Sequence, residues 1–368
     1  MAGAAGGRTT TDGAERRRRP GWIWWIGLGL AAVVGGVVGG IVVNQTGLTG
    51  PAGKSATCES TTIAKNVLPT VVTVNASAGA NAGSGSGEII RAGGYILTND
   101  HVISLAANGG TVEVVSNDGQ DAPATIVGRD PATDLAVIKA DGLRSTKVIA
   151  FGSSEALTVG QPVVALGAPL GFSSSVTNGI VSALGRNVQL PGQGDQSALL
   201  VDAIQTDAAI NPGNSGGALV DCAGELVGIP TAGAVVPSPS GQQAGGNIGI
   251  GFAIPVKLAK LVSDELVATG TVAHAEFGVQ VSPITPTLAR QSGRNEGLFV
   301  NQVRSGGPAG AAGLQPGDVI TKLEGDPARS TDQLVGLTLT RRAGDTVSVT
   351  YRRDGRTRET TVTLGSQQ

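Results

Sequence analysis

The sequence predicts a mostly β protein in which two small β-barrels are followed by a further small β-rich domain and preceded by one membrane-spanning helix. Three observations predict this fold. Short apolar runs broken by Gly, Asn and Asp fall into two groups, as expected for two barrels. Glycine accounts for 58 of 368 residues and aromatic residues for only 3%, so the core must be packed from Val, Ile, Leu and Ala. Residues 21–43 contain no charged residue.

The N-terminal part of the chain predicts a membrane anchor. Residues 1–20 are rich in Gly, Thr and Arg and are predicted to be a disordered cytoplasmic tail. Residues 21–43 are long enough to cross about 30 Å of hydrocarbon as a helix, and three tryptophans lie in the first turn. The arginines at 16–19 orient the N-terminus towards the cytoplasm, which leaves the bulk of the protein extracytoplasmic. A cleaved signal peptide is the alternative, but no Ala-x-Ala site follows closely. Residues 44–57 are predicted to be a linker.

The strand-like runs follow the linker. Those of the first group are 71–74, 88–90, 95–98, 111–115 and 135–138, and those of the second are 162–166, 180–183, 203–206, 217–220, 226–229 and 250–254. Residues 256–268 have helical apolar spacing, and Gly270 ends the predicted helix. We therefore expect one domain over 58–268 and another over 272–368.

One glycine-rich stretch predicts a catalytic serine. Residues 211–217 read Asn-Pro-Gly-Asn-Ser-Gly-Gly. A serine hydroxyl needs a base and backbone amides that face the developing oxyanion. We expect Ser215 to be the nucleophile and the amides of Gly213 and Ser215 to form the oxyanion hole, with Gly216 and Gly217 leaving room for substrate. The alternative is a turn that merely joins two strands.

The base and the acid are predicted from few candidates. The chain has two histidines, His101 and His274. His101 follows an apolar strand, whereas His274 lies in a polar connector, where we expect a solvated or capping residue. Asp134 opens a β-branched apolar run after a turn, so it is the predicted carboxylate that orients the imidazole. Asp207 is the second candidate.

The order His101, Asp134, Ser215 is that of chymotrypsin-type enzymes. Five motifs in this order resemble the HtrA/Deg serine proteases: Gly-Ser-Gly within 83–87, Thr-Asn-x-His-Val at 98–102, Thr-Asp-Leu-Ala-Val at 133–137, Gly-Asn-Ser-Gly-Gly at 213–217 and Gly-Phe-Ala-Ile-Pro at 251–255. The resemblance implies a chymotrypsin-like double barrel with the site between the barrels. It also implies an endopeptidase that cleaves unfolded or damaged proteins, a homotrimer, and no cofactor or metal.

One departure from the family pattern is Asp100, where the family often has Ala or Asn. A carboxylate next to His101 raises the imidazole pKa if it faces the ring.

Residues 272–368 resemble a PDZ domain. The loop that captures a peptide's terminal carboxylate in this family is resembled by Phe277, Gly278 and Val279. Residues 313–320 match the family's turn into a strand. Ser330 and Gln333 predict a capping box for a helix that carries Leu334 and Leu337. The groove between this helix and a strand starting at Phe277 is expected to bind C-terminal peptides by strand addition. A β-rich domain without a binding function is the alternative.

The two cysteines, Cys58 and Cys222, both fall in the part predicted to lie outside the membrane, where disulfides persist. We expect them to be bonded; two separate buried thiols are the alternative. A formal net charge of −2 gives no indication of nucleic acid as a partner.

The remaining expectations concern specificity and regulation. Residues 208–210 and 250–254 line the predicted specificity pocket and carry no charge, which predicts cleavage after small or medium aliphatic residues. Many chymotrypsin-type zymogens mature when a cut exposes an amino group that pairs with an aspartate just before the serine. Asn214 occupies that position here and has no charge to pair with an amine. We therefore expect regulation through ordering of the loops at 171–176 and 190–200, which a ligand of the PDZ domain favours. A chaperone or PDZ scaffold with an inactive site is the competing function.

Overall fold

The computed structural model describes residues 58–143, 147–168, 175–190, 198–231, 249–292 and 295–367. The predicted tail, membrane helix and linker, and most of the two predicted regulatory loops, lie outside these residues. Within the described ranges, no helix is long and apolar enough to cross a membrane. All described residues belong to one compact unit, which spans residues 56–368.

The first barrel is closed by six antiparallel strands in the order β1-β2-β3-β6-β5-β4. The strands are β1 Val71–Ala78, β2 Asn81–Arg91, β3 Tyr95–Thr98, β4 Thr111–Ser116, β5 Asp121–Asp130 and β6 Leu135–Ala140. Its interior is packed from small and β-branched side chains, among them Val74, Ile89 and Ile138, all fully buried. Helix α1, Ser60–Val67, and the 3-10 segment Leu68–Thr70 precede the barrel.

The second barrel is also closed, in the order β10-β11-β12-β9-β8-β7. Its strands are β7 Pro162–Gly167, β8 Ser175–Leu190, β9 Ala198–Thr206, β10 Ala218–Val220, β11 Leu226–Thr231 and β12 Gly251–Pro255. The two-barrel prediction is therefore confirmed. Most strands run longer than the apolar runs, because backbone pairing continues beyond the residues that are buried.

Several elements were not predicted, among them strand β5 and helix α1. Strand β5 contains Pro123 and Gly128, both of which interrupt the sequence pattern of a strand. Helix α1 buries only Ile63 and Val67, a pair four residues apart that is too sparse to reveal a helical period.

The predicted helix between the domains is present as α3, Val256–Thr269. Gly270 ends it in the left-handed conformation, with φ 79°. Val262 and Leu266 are fully buried in a cluster that also contains Leu97 of β3 and Leu226 of β11, so this helix packs against both barrels. Leu261, one of the apolar residues of this helix, is 37% exposed.

The remaining residues form a five-strand path, β14-β15-β16-β18-β19, with β17 paired to β16 and a separate β13-β20 pair. The strands are β13 Ala275–Glu276, β14 Val279–Ile284, β15 Gly297–Val303, β16 Val319–Leu323, β17 Asp326–Pro327, β18 Thr346–Arg353, β19 Arg356–Thr363 and β20 Gly365–Ser366. The other helices are α2 Asp100–Ile103 with the 3-10 segment Ser104–Asn108, α4 Pro286–Ser292, α5 Pro308–Ala311 and α6 Thr331–Thr340. The predicted capping box of Ser330 and Gln333 starts α6.

Candidate active site

His101 and Asp134 form a hydrogen-bonded pair at one end of the first barrel. His101 Nδ1 lies 2.9 Å from Asp134 Oδ2 and 3.0 Å from Oδ1. The main-chain N–H of His101 also donates to Asp134 Oδ1, at 3.0 Å. A carboxylate at Nδ1 favours the tautomer with its proton there, so Nε2 carries the lone pair that can accept a proton.

Asp134 is held in a strained backbone conformation. Its φ is 57°, a region that costs a non-glycine residue on the order of 1–3 kcal/mol. Its carbonyl accepts hydrogen bonds from Asn99 Nδ2 at 2.9 Å and from the N–H of Asp100 at 3.1 Å. Thr231 of the second barrel donates its hydroxyl to Oδ2 at 3.2 Å. The second barrel thus contributes to holding the carboxylate.

Thr231 was missed by sequence reasoning. It stands 97 residues from Asp134, and no local pattern signals a contact at that separation. Asn99, by contrast, lies within the Thr-Asn-x-His-Val motif, which could have identified it.

The pKa of His101 is raised from its ordinary value. Burial lowers the pKa, but the hydrogen bond and the charge of Asp134 outweigh that effect, and the charge of Asp100 adds to the rise. Asp100 itself faces Arg129, whose Nε and Nη2 donate to its two oxygens at 2.7 and 2.9 Å. Burial raises the pKa of Asp100 despite this ion pair. The expected direction of the Asp100 effect on His101 is therefore present.

Ser215 lies on the second barrel, just before strand β10, and is buried. Gly213 adopts φ 100°, a conformation that favours glycine. The main-chain carbonyl of Ser215 accepts a hydrogen bond from the N–H of Ser86 at 2.8 Å, and Ser86 Oγ donates to the Gly213 carbonyl at 2.6 Å. The loop that carries Ser215 is therefore bonded to strand β2 of the first barrel.

The prediction that Gly216 and Gly217 leave room for substrate is wrong. A Cβ on Gly216 would lie 2.2 Å from the Ser86 carbonyl oxygen, and one on Gly217 would lie 2.3 Å from the Leu166 carbonyl oxygen. The protein's own backbone fills the space, so these glycines allow close packing between chain segments.

The alternative candidates lie elsewhere. Asp207 Oδ1 accepts a hydrogen bond from the N–H of Ile180 at 2.7 Å, within the second barrel. His274 Nε2 lies 2.8 Å from Asp130 Oδ1, and its side chain is only 11% exposed. The expectation of a solvated or capping His274 is therefore wrong, because the residue is packed against a buried carboxylate.

Cys58 and Cys222 are joined by a disulfide, with their Cα atoms 4.7 Å apart. The bond links the residue just before helix α1 to the turn after strand β10. In the described part of the chain, no cluster of three or more His, Cys, Asp and Glu side chains is placed to hold a metal ion.

The predicted peptide groove is a surface cleft between the 277–279 loop and helix α6. Phe277, Gly278, Val279 and Leu334 all line it, together with Val335 and Thr338 of the helix. Two details differ from the prediction. Phe277 precedes the strand, which begins at Val279. Leu337 lies on the other side of α6, at a second cleft beside Val201 and Asp202 of the second barrel.

Comparison with known proteins agrees with this geometry. A family model described as a trypsin-like peptidase domain matches residues 85–229, and one described as a PDZ domain matches residues 275–364. Serine protease PepD of Mycobacterium tuberculosis is 39% identical, over 98% of this chain and 81% of its own length. Periplasmic serine endoprotease DegP of Salmonella typhimurium is 41% identical over 77% of this chain, which spans 56% of that relative.

Solved structures show the same similarity. The HtrA-type protease AlgW with a decapeptide matches with a TM-score of 0.65 and 35% identity, over 84% of this chain and 99% of AlgW. AlgW with a tripeptide gives a TM-score of 0.66 and 37% identity, over 84% of this chain and 98% of AlgW. Fold and sequence together define a trypsin-like serine endoprotease that carries a PDZ domain. The extent of the PepD and AlgW matches places it more narrowly: the chain belongs to the HtrA family of serine proteases.

Proposed function

We propose that Ser215 attacks the scissile peptide carbonyl, that His101 takes its proton and later passes it to the leaving amine, and that Asp134 keeps the imidazole oriented and stabilises its charged form. The amides of Gly213 and Ser215 bind the oxyanion of the tetrahedral intermediate. The observation that carries this proposal is the His101–Asp134 pair, bonded at 2.9 Å through Nδ1. The pair leaves Nε2 as the base.

A fluorophosphonate probe tests the nucleophile. The wild-type protein should be labelled, and Ser215→Ala should abolish labelling while the protein stays folded by circular dichroism. Asp207→Asn is the matched control and should be labelled like the wild type. An unlabelled wild type, under conditions that label an active relative, would instead support the chaperone or scaffold function.

The substrates we propose are unfolded or damaged proteins, cleaved after small or medium aliphatic residues. The support is the apolar lining of the predicted pocket, where Ala208 is fully buried and a Cβ on Gly251 would lie 2.8 Å from the Ile210 side chain. Cleavage-site sequencing on a denatured protein checks this preference. Efficient cleavage after Lys or Arg would contradict it.

We place the protease and PDZ domains outside the cytoplasmic membrane, anchored by residues 21–43. The Cys58–Cys222 disulfide supports an oxidising compartment, and the relatives named as periplasmic are consistent with it. Expressed in its host, the chain should resist alkaline extraction from membranes, and added protease should digest residues 58–368 from the outside only. Release by alkali, or protection of these residues in intact cells, would contradict the proposal.

Regulation by a C-terminal peptide in the PDZ groove is the last part of the proposal. Support comes from helix α6, which contacts the groove on one side and strand β9 on the other. Leu339 packs with Leu199 and Val201 of β9, and Ala132 borders this cluster. The N–H of Leu199 donates to the Ala132 carbonyl at 3.3 Å, two residues before Asp134. Movement of α6 can therefore reach the turn that carries the acid.

A second contact reaches the same turn. Asp130, which accepts the His274 hydrogen bond, also accepts one from Thr133 Oγ1 at 2.5 Å.

A hydrophobic C-terminal peptide should raise hydrolysis of a small reporter, and deletion of residues 272–368 should remove the effect. Activity that appears only after the N-terminal segment is cut away would contradict this form of regulation.

A further inference from the structure

One residue of the first barrel, Ser86, makes two hydrogen bonds to the loop that carries Ser215. Ser86 is completely buried on strand β2. Its N–H donates to the Ser215 carbonyl at 2.8 Å, and its hydroxyl donates to the Gly213 carbonyl at 2.6 Å. The same hydroxyl accepts a hydrogen bond from the N–H of Ala168 at 2.8 Å.

The direction of these bonds is not ambiguous. A serine hydroxyl has one hydrogen to donate and lone pairs to accept with. The Gly213 carbonyl can only accept and the Ala168 N–H can only donate, so the hydroxyl hydrogen must point at Gly213. Each bond therefore holds Ser86 in one rotamer between the two segments of the second barrel.

Hydrogen bonds hold the carbonyl groups of three consecutive residues, 213–215. The carbonyls of Gly213 and Ser215 are both held by Ser86, and the intervening Asn214 carbonyl accepts the N–H of Gly217 at 3.0 Å. A peptide group is planar, so fixing its oxygen also fixes the N–H of the following residue. Ser86 thus restrains the peptide groups on both sides of the Asn214–Ser215 peptide, whose N–H is one of the two proposed oxyanion donors.

The flanking glycines bring Ser86 this close. A Cβ on Gly85 would lie 2.6 Å from Val102 and 3.1 Å from the Ser215 carbonyl oxygen, and a Cβ on Gly87 would lie 2.5 Å from Ile96. Thr98 donates its hydroxyl to the Ser86 carbonyl at 2.7 Å and completes the fixation of the segment. A side chain at residue 85 or 87 would therefore clash with its neighbours, which explains the Gly-Ser-Gly sequence at 85–87.

We propose that Ser86 is a positioning residue for catalysis: it holds the Ser215 loop in the conformation in which its amides face the oxyanion. This inference rests on the proposed role of Ser215 as the nucleophile. Ser86 does not touch the substrate, so its contribution is made in the transition state, through the orientation of the loop amides. Substrate binding before the chemical step should depend on it little.

Steady-state hydrolysis of a peptide reporter by the full chain tests the proposal. Ser86→Ala should lower kcat on the order of 100-fold, as a small misplacement of catalytic groups does, with KM changed less than about threefold. Affinity for a peptide boronate, whose tetrahedral adduct occupies the oxyanion hole, should fall in parallel with kcat. Ser263→Ala is the matched control, because Ser263 is equally buried but donates only to the Lys260 carbonyl in helix α3.

Two further variants keep the outcome interpretable. Ser86→Cys fills the site with a slightly larger group that is a weaker donor, so it should give an intermediate kcat even if Ser86→Ala folds poorly. Ser86→Ala or Ser86→Cys with wild-type kcat and boronate affinity would overturn the proposal. Ser215→Ala with wild-type hydrolysis would instead overturn the proposed mechanism itself, which separates the two failures.

Discussion

At the scale of single residues, the site is built from charges and strained backbone whose partners are far apart in sequence. The positive φ of Asp134 is maintained by hydrogen bonds from Asn99 and Asp100 and by the Thr231 hydroxyl on the carboxylate. The pKa of His101 is set by burial against the opposing effect of two carboxylates. Each effect can be changed separately.

The first prediction concerns Asp100. Its charge raises the pKa of His101, and in the proposed mechanism His101 must be neutral to accept a proton. Asp100→Asn should therefore shift the acidic limb of the kcat/KM profile to lower pH. The double variant Asp100→Asn, Arg129→Gln removes both charges of the ion pair and should still show a shift in this direction. An acidic limb that stays in place or moves to higher pH would contradict the assignment.

The second prediction concerns Glu88, a fully buried carboxyl of strand β2. Thr70 Oγ1 lies 2.7 Å from the Val67 carbonyl and 3.1 Å from Glu88 Oε2. The hydrogen bond with Thr70 lowers the pKa of Glu88, but the effect of burial is larger. Burial raises the pKa of Glu88 well above 4.5. The folded protein therefore keeps a proton that the unfolded chain releases, and stability falls as pH rises above 4.5.

Glu88→Gln removes this titration. In a Ser215→Ala background, the free energy of unfolding of Glu88→Gln minus that of its parent should increase with pH above the unfolded pKa, by about 1.4 kcal/mol per pH unit, until the folded Glu88 ionises. Urea unfolding at several pH values measures it. A difference that stays flat with pH for Glu88→Gln would refute a neutral Glu88.

At the scale of elements, helix α6 lines the peptide groove with one face and packs against strand β9 with the other. Leu334, Val335 and Thr338 line the groove, whereas Gly336 lies against strand β9, where a Cβ would meet Val201 Cγ1 at 2.9 Å. The lack of a side chain at 336 lets helix and strand approach closely. The helix is therefore suited to transmit a change at the groove to the second barrel.

The third prediction separates the two faces. Gly336→Val should push α6 away from β9, so that a C-terminal peptide still binds but loses most of its effect on hydrolysis, which for typical coupling is about 5- to 150-fold. Val335→Ala, one residue earlier but on the groove side, should weaken peptide binding instead. Fluorescence anisotropy and reporter hydrolysis measure the two effects. Full activation of Gly336→Val would exclude this contact as the path.

Sequence reasoning reached the local features and missed those set by distant contacts. The two barrels, helix α3 with Gly270 at its end and the α6 capping box followed from period, glycine and capping patterns. Thr231 and the burial of His274 did not, since each depends on a partner brought close only by the fold. Leu337 was placed in the groove because helical spacing shows that two residues are neighbours but does not show which neighbour faces which surface.

At the scale of the whole molecule, the Cys58–Cys222 disulfide is the one covalent cross-link among the described residues. Cys58 and Cys222 are 164 residues apart, and the chain-entropy model assigns a loop of this size roughly 5 kcal/mol at most. The bond encloses the whole first barrel and the larger part of the second. Its effect should therefore appear in global unfolding.

The fourth prediction follows. Non-reducing mass spectrometry of residues 58–368 should find a peptide joining Cys58 to Cys222, and Cys58→Ser with Cys222→Ser should lower the denaturation midpoint while the reporter kcat changes little. Either single variant alone should behave like the double. Two alkylated thiols in the wild-type protein, or an unchanged midpoint in the double variant, would contradict the role of this bond.

The hydrogen bonds between the barrels are reciprocal: Ser86 of the first holds the loop of Ser215, and Thr231 of the second holds Asp134. The position of Ser215 therefore depends on a side chain of the first barrel, and the position of Asp134 depends on a side chain of the second. In evolutionary terms, the two barrels should change together. A substitution near one of these two hydrogen bonds limits the substitutions that are accepted near the other. Chimeras that join barrels from distant relatives should fold more readily than they cleave, and their activity should return through changes at these contacts before changes at His101, Asp134 or Ser215.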